Sequence, residues 1–353
     1  AIEALFTIDE ETGMTGAMGL KGGLLDGEIL LNLDTEEDDE IDIGCAGGID
    51  VTATAEYDEE ATPEGSVGYS ITVKGLKGGH SGMDIHKGLG NANKIMNRLL
   101  FDGFDNFGLQ ISEIKGGSLR NAIPRESVAK VIIASIYDEA FVFDMQEIVN
   151  EIKTEFKTTE PNLEIVFEKL EATPAKVMPT IAQFYFVRAM YTAHNGVYRM
   201  SADFDELVET SNNIAKVVLG EGKLVVQCLT RSSVETSKLD LANALRSAFE
   251  LMGCEVEFSG SYPGWTPNAN SEILDVLTGL YEKQNNGEKP AVVACHAGLE
   301  CGILGTNYPD MDMISFGPTI KGAHSPDERA SIASAQKYWK FVLEILENIP
   351  SKN

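Results

Sequence analysis

The hydrophobic period of this chain changes in an order that few folds accommodate. Ser66 to Leu76 alternates as a strand, and Ile85 to Leu100 has helical spacing. Gly108 to Ile114 and Ser127 to Ser135 read as strands, Phe141 to Phe156 as a helix, and Leu163 to Leu170 as a strand. The result is β-α-β-β-α-β, the split βαβ arrangement. A second, weaker copy follows: a helix over Ile181 to His194, strands over Val208 to Leu219 and Lys223 to Arg231, a helix over Leu239 to Met252, and a strand from Cys254 to Gly260. Asn121-Ala122-Ile123 leading into Val128 to Val131 resembles Asn212 to Val217. Two such units side by side can share one long sheet.

The flanks have a different texture. Ile29 to Leu33 reads as a buried strand, Met14 to Leu20 as a short helix ended by Gly22-Gly23, and Glu272 to Gln284 and Ile332 to Leu346 as helices. Ala291 to Ala294 and Met313 to Phe316 read as short strands. The expected architecture is therefore α/β: residues 1–51 and 263–353 form one discontinuous domain, and residues 52–262 form an inserted α+β domain of two ferredoxin-like units. Tyr262 to Pro267, rich in Pro and Gly, is the expected hinge.

The length of 353 residues accommodates two cores, and 43% hydrophobic with 24% charged residues is an ordinary globular composition. A formal charge of −27 works against nucleic acid and anionic membrane as partners, because both need a basic surface to displace counterions. The five cysteines, Cys45, Cys228, Cys254, Cys295 and Cys301, are widely spaced without a Cys-x-x-Cys pair. That pattern predicts buried free thiols in a reducing, cytoplasmic setting. No apolar run approaches the ~20 residues of a membrane span.

The candidate chemistry begins at Thr7 to Gly13. Ile2, Leu5, Phe6 and Ile8 make an apolar run of strand length, which would deliver Glu10 and Glu11 where a strand gives way to a loop. On an extended segment the two side chains point apart, so the pair suits a division of labour between metal ligand and general base. In so acidic a chain, a solvated acidic turn is the competing reading. Asp34 follows the strand at Ile29 to Leu33, and the run Glu36 to Glu40 reads as a solvated loop. Ile43 to Gly48 is small enough for close backbone approach, either to a ligand or to another strand.

Of five histidines, His80 lies in Gly78-Gly79-His80-Ser81-Gly82, His296 in Cys295-His296-Ala297-Gly298, and His324 in Gly322-Ala323-His324-Ser325-Pro326. Loops this rich in Gly and Pro favour a ligand or catalytic role over core packing, with an ordinary surface-loop histidine as the competing reading. His86 has less distinctive surroundings, and His194 ends a helix, where a capping role is enough. Glu11, Asp34 and His324 together would offer the mixed carboxylate and imidazole donors that suit zinc, with cobalt or manganese as substitutes.

In this order, Thr7 to Gly13, Asn32-Leu33-Asp34, Gly78 to Gly82, Asn121 to Arg125, His296 to Gly302 and Gly322 to Pro326 resemble the aminoacyl-histidine dipeptidases, the Xaa-His branch of the M20 metallopeptidases. The resemblance spans essentially the whole chain. It implies a co-catalytic dinuclear zinc enzyme with an inserted lid, acting on small peptides, with a homodimer formed through the lid as a further expectation. Glu10 would be the general base, Glu11 and His324 ligands of one metal, and Asp34 a ligand of the other. His80 would steady the oxyanion, Asn121 and Arg231 would hold the substrate carboxylate, and His296, Gly298 and Glu300 would line the pocket.

One departure stands against the family pattern. The family places a His-x-Asp motif and a bridging Asp upstream of the paired glutamates, and no His-x-Asp occurs in these 353 residues. The expectation drawn from this is a missing upstream segment and a chain inactive, or nearly so, on its own. The alternatives are another M20-type amide hydrolase, such as a tripeptidase or deacylase, and a non-catalytic peptide- or metal-binding protein.

Overall fold

The computed structural model describes residues 2–204, 206–268, 270–322 and 327–350, with no side chain described for Glu11 and Thr12. Its larger sheet runs in the order Glu164–Lys169, Ser66–Lys74, Ser127–Ala134, Gln110–Gly116, Val208–Gly220, Lys223–Ser232, Gly47–Glu56 and Glu255–Tyr262, with Gly196–Met200 paired to Val208–Gly220. The first four strands make a complete split βαβ unit with the helices Ala92–Phe107 and Asp138–Glu155.

The topology of the second unit explains why its copy is weaker in sequence. Its first strand, Gly47–Glu56, is drawn from ahead of the first unit, and its helices are Thr180–Thr192 and Glu235–Glu250. The first unit is thus inserted between the first strand and first helix of the second. One apolar core gathers residues from all four helices, among them Leu99, Val149, Val187 and Leu245, with Ile71, Val131, Val51 and Val226 of the sheet.

The smaller sheet has the order Ile29–Asn32, Asp312–Ser315, Glu40–Cys45, Ala291–Cys295, and is parallel except where Ser315 meets Asp42. Met313 and Ile314 are neighbours on one strand and pack into different apolar clusters. Both faces of this sheet are therefore covered, the first by helices Glu272–Gln284 and Ile332–Glu347, the second by helix Glu300–Asn307 with Trp265. The expected hinge is a seam: Cys45 and Trp265 exchange backbone hydrogen bonds of 2.9 Å in both directions, and Trp265 is buried. Close packing is also what the small residues at 43–48 serve, since a Cβ on Gly44 would lie 2.6 Å from Pro267.

Two expected elements are corrected. Ile2 to Ile8 is not a strand, and Ile2, Phe6 and Ile8 are exposed. No described strand pairs with it, so its backbone has no ladder to join. Glu10–Gly13 instead forms a helical turn, entered through Asp9 at φ 63°. The helix expected from Ile85 begins at Ala92, because the Asn91 side chain accepts from the backbone N–H groups of Asn93 and Lys94 and caps it there. Ile85–Lys87 is a separate 3-10 turn.

The two units are joined by three residue pairs, Val217 with Gly116, Val218 with Lys115 and Leu219 with Ile114. Beside them, Gly117 has φ +71°, and a Cβ there would lie 1.8 Å from the carbonyl oxygen of Ala215, where the neighbouring ladder shifts register. Gly117→Ala is expected to cost about 2–4 kcal/mol through strain and displaced backbone. The urea unfolding midpoint should fall accordingly, and an unchanged midpoint would refute this account of the joint.

Candidate active site

The open end of the long sheet and the loops of the small sheet meet around Arg231. Strand Lys223–Ser232 sets Arg231 opposite Gly48, and strand Glu255–Tyr262 sets Tyr262 opposite the same residue. Gly48 has no side chain, and a Cβ there would lie 2.6 Å from the Tyr262 ring. Arg231 and Tyr262 occupy the room this leaves.

His80 comes from the short strand Gly79–His80, which pairs with Ala122–Ile123. Its own N–H donates to Asp84 Oδ2 at 2.7 Å, and its Nδ1 accepts from the N–H groups of Gly82 and Met83 at 3.3 and 3.1 Å. A ring nitrogen that accepts carries no proton, so the neutral ring holds its proton on Nε2. Burial, reinforced by the Arg231 charge, holds the His80 pKa below its ordinary value and keeps the ring neutral.

Arg231 is 4% exposed. Its Nη1 donates to Tyr262 Oη at 2.8 Å, its Nε approaches Ser81 Oγ at 3.4 Å, and its Nη2 lies 3.5 Å from His80 Nε2. Nε2–H and the guanidinium are both donors, so this last contact is two donors turned toward one space. Arg231 forms no ion pair among the described residues; its charge reaches Asp50, which is itself paired to Arg120 at 3.2 Å. A buried guanidinium without a counter-ion is costly unless an anion arrives to meet it.

The loop after strand Ala291–Cys295 forms the facing wall. His296 is buried, with Nε2 2.8 Å from Ser211 Oγ, and burial pushes its pKa down to about 3, helped by the Arg231 charge. A Cβ on Gly82 would lie 1.9 Å from the His296 carbonyl oxygen, so the His80 loop sits directly on this wall. Gly298 faces Tyr262 and Met14, which a Cβ there would meet at 3.0 and 3.2 Å. Glu300 Oε2 accepts from Thr7 Oγ1 at 2.7 Å, which ties the Glu10 segment to the same wall.

The structure brings His80, Arg231, His296 and Gly298 together; Asn121 contributes its carbonyl, which accepts from Ser81 N at 2.8 Å, while its side chain is exposed. The Glu11 side chain and His324 lie outside the described residues. Asp34 is exposed beyond strand Ile29–Asn32, close enough to Asp42 and Cys301 for its charge to raise their pKa values. Its oxygen donors and acidic surroundings suit a divalent cation. The described side chains nevertheless include no group of three His, Cys, Asp or Glu that could hold a metal ion, so they do not close a coordination shell alone.

Tyr262, Ser211, Ser81 and Asp42 are contributors that sequence reasoning does not single out. Tyr262 sits at a strand end before Pro263-Gly264, the one signal that could mark it. Ser211 and Ser81 carry none, since their role follows from which strands and loops face each other. Asp42, buried and accepting from Thr35 Oγ1 at 2.7 Å, has its pKa raised to about 6, chiefly by burial.

His296 makes stability depend on pH. The unfolded chain takes a proton near the ordinary value of 6.5, whereas the folded protein resists until about 3. The contribution is therefore complete above pH 6.5 and drains away as pH falls toward 3, on the order of 5 kcal/mol in all. His296→Asn should flatten the slope of unfolding free energy against pH across that window; an unaltered slope would exclude His296 as its source.

Residues 66–161 match the peptidase dimerisation domain of the M20 family. The cytosol non-specific dipeptidase of Escherichia coli (strain K12) is 41% identical over 354 residues, covering 99% of this chain and 72% of that protein. The crystal structure of aminoacylhistidine dipeptidase from Vibrio alginolyticus superposes with a TM-score of 0.94 at 44% identity, over 98% of this chain and 70% of that one. The split βαβ pair, the α/β sheet beside it and these two likenesses agree: the chain belongs to the M20 metallopeptidase family, among its dipeptidases.

Proposed function

We propose that the protein is a metal-dependent dipeptidase that hydrolyses Xaa-His dipeptides, with Glu10 as general base. The observation that carries this reading is the Arg231 guanidinium, buried and without an ion-pair partner among the described residues, with the half-buried His80 Nε2 3.5 Å from its Nη2. A short peptide with a free carboxylate supplies such an anion; Arg231 and the exposed amide of Asn121 bind it and thereby place the peptide bond. The E. coli relative's name, non-specific, favours a range that includes residues other than histidine at that end.

His80 is fixed as a neutral donor, so its Nε2–H serves the oxyanion that forms at the scissile carbonyl. Glu10 takes a proton from the attacking water and passes it to the leaving amine. Glu11, Asp34 and His324 would hold zinc, or cobalt or manganese in its place, whose contribution is to make water a nucleophile at neutral pH. His296, Gly298 and Glu300 form the wall along which the substrate lies. Residues 52–262 act as a lid over a catalytic part made by 1–51 and 263–353, and a homodimer forms through the lid, a reading that the matched dimerisation segment supports. A cytoplasmic location is supported by the named location of the E. coli relative and by the free cysteines.

Three measurements test this. In the native protein, Glu10→Gln should lower kcat on an Xaa-His dipeptide by about 10²–10⁴-fold with KM nearly unchanged. Chelation should abolish turnover and added zinc restore it, so full turnover in the chelated protein would refute the metal dependence. Arg231→Met should act mainly on KM, raising it about 10²-fold, and a loss confined to kcat would count against carboxylate binding.

A further inference from the structure

The hydrogen bonds around Arg231 leave one polar proton unused. Arg231 Nη1 donates to Tyr262 Oη at 2.8 Å, and a guanidinium has no lone pair to offer in return. The phenol accepts there, which leaves its own proton free to be donated, and no described residue accepts it. Burial raises the Tyr262 pKa above its ordinary value and keeps that proton in place.

The ring has little freedom to turn away. It packs over Gly48 on one side and beside Gly298 on the other. Its backbone carbonyl accepts from Lys238 Nζ at 2.7 Å, from a lysine that is fully buried. Tyr262 therefore presents a fixed hydroxyl beside Arg231 Nη1, on the guanidinium whose other terminal nitrogen faces His80.

We propose that Tyr262 is a substrate-binding residue whose hydroxyl donates to the carboxylate of the peptide held by Arg231. The assignment rests on the carboxylate reading of Arg231 and adds a third donor to it. A carboxylate has two oxygens and about four acceptor positions, enough for the guanidinium, the Asn121 amide and the phenol together. The phenol also makes the site discriminate: a neutral C-terminal amide turns an NH2 group toward one of the donors, and the contact becomes repulsive.

The test compares native protein with Tyr262→Phe, which keeps the ring packing and removes only the hydroxyl, using glycylhistidine and its C-terminal amide. Calorimetry should show at least tenfold weaker binding of the acid by the variant, and affinities for the amide within about twofold of each other. In turnover the same change should appear in KM, with kcat within about twofold. Equal losses for acid and amide, no loss for either, or a native protein that fails to bind the acid would overturn the assignment. A native protein that binds the acid, discriminates through Tyr262 and does not hydrolyse it would leave the assignment standing and overturn the dipeptidase reading instead.

Discussion

The candidate site depends on the pairing of strand Gly47–Glu56 with two distant strands. This strand continues the path of Glu40–Cys45 out of the small sheet, and lies in the long sheet between Lys223–Ser232 and Glu255–Tyr262. Ten residue pairs fix it to the first of these, from Lys223 with Glu56 to Ser232 with Gly47. Because side chains alternate across a strand, a slip of one residue would carry Arg231 to the opposite face of the sheet. The register, set by the alternating burial of Ile49, Val51 and Ala53, thus also sets the guanidinium over Gly48.

Charge gives the location its chemical character. In a chain of net charge −27, one guanidinium is buried where no described carboxylate pairs with it, and two neighbouring histidines are held neutral by burial and by that same cation. The backbone reinforces the arrangement, since the N–H groups of Gly82 and Met83 fix which nitrogen of His80 carries the proton. Solvent and salt screen the charges of the acidic surface, whereas the field of the buried guanidinium is screened far less.

Where periodicity is strong, sequence and structure agree closely. Glu272–Gln284 occupies the residues its spacing predicts, and Ser66–Lys74 differs from its expected span by two residues at one end. Ile2 to Ile8 departs from expectation because an apolar run does not say whether a partner strand exists, and none pairs with it among the described residues. The stretch Ile85 to Gly90 departs for a different reason: Gly88, at φ 65°, and the Asn91 cap outweigh continuous apolar spacing. That asparagine is the local signal by which the true helix start could be read. The resemblance between 121–131 and 212–217 is superficial in structural terms, since Ala122–Ile123 is a short strand of its own, whereas Val208–Gly220 runs unbroken through thirteen residues.

Local sequence was sufficient for the β-α-β-β-α-β order, the α/β character of the flanks, the mostly buried free cysteines and the residue types from which a hydrolytic site can be built. Those properties depend on periodicity and on chemical identity, both carried by neighbouring residues. Only the packed molecule reveals that the second unit takes its first strand from ahead of the first, and that Tyr262, Ser81 and Ser211 join His80, Arg231 and His296. These depend on strand registers and loop contacts between segments distant in the chain, as between Gly48 and Arg231. Such a register is chosen by the packing of the whole core, and no local stretch of sequence contains it.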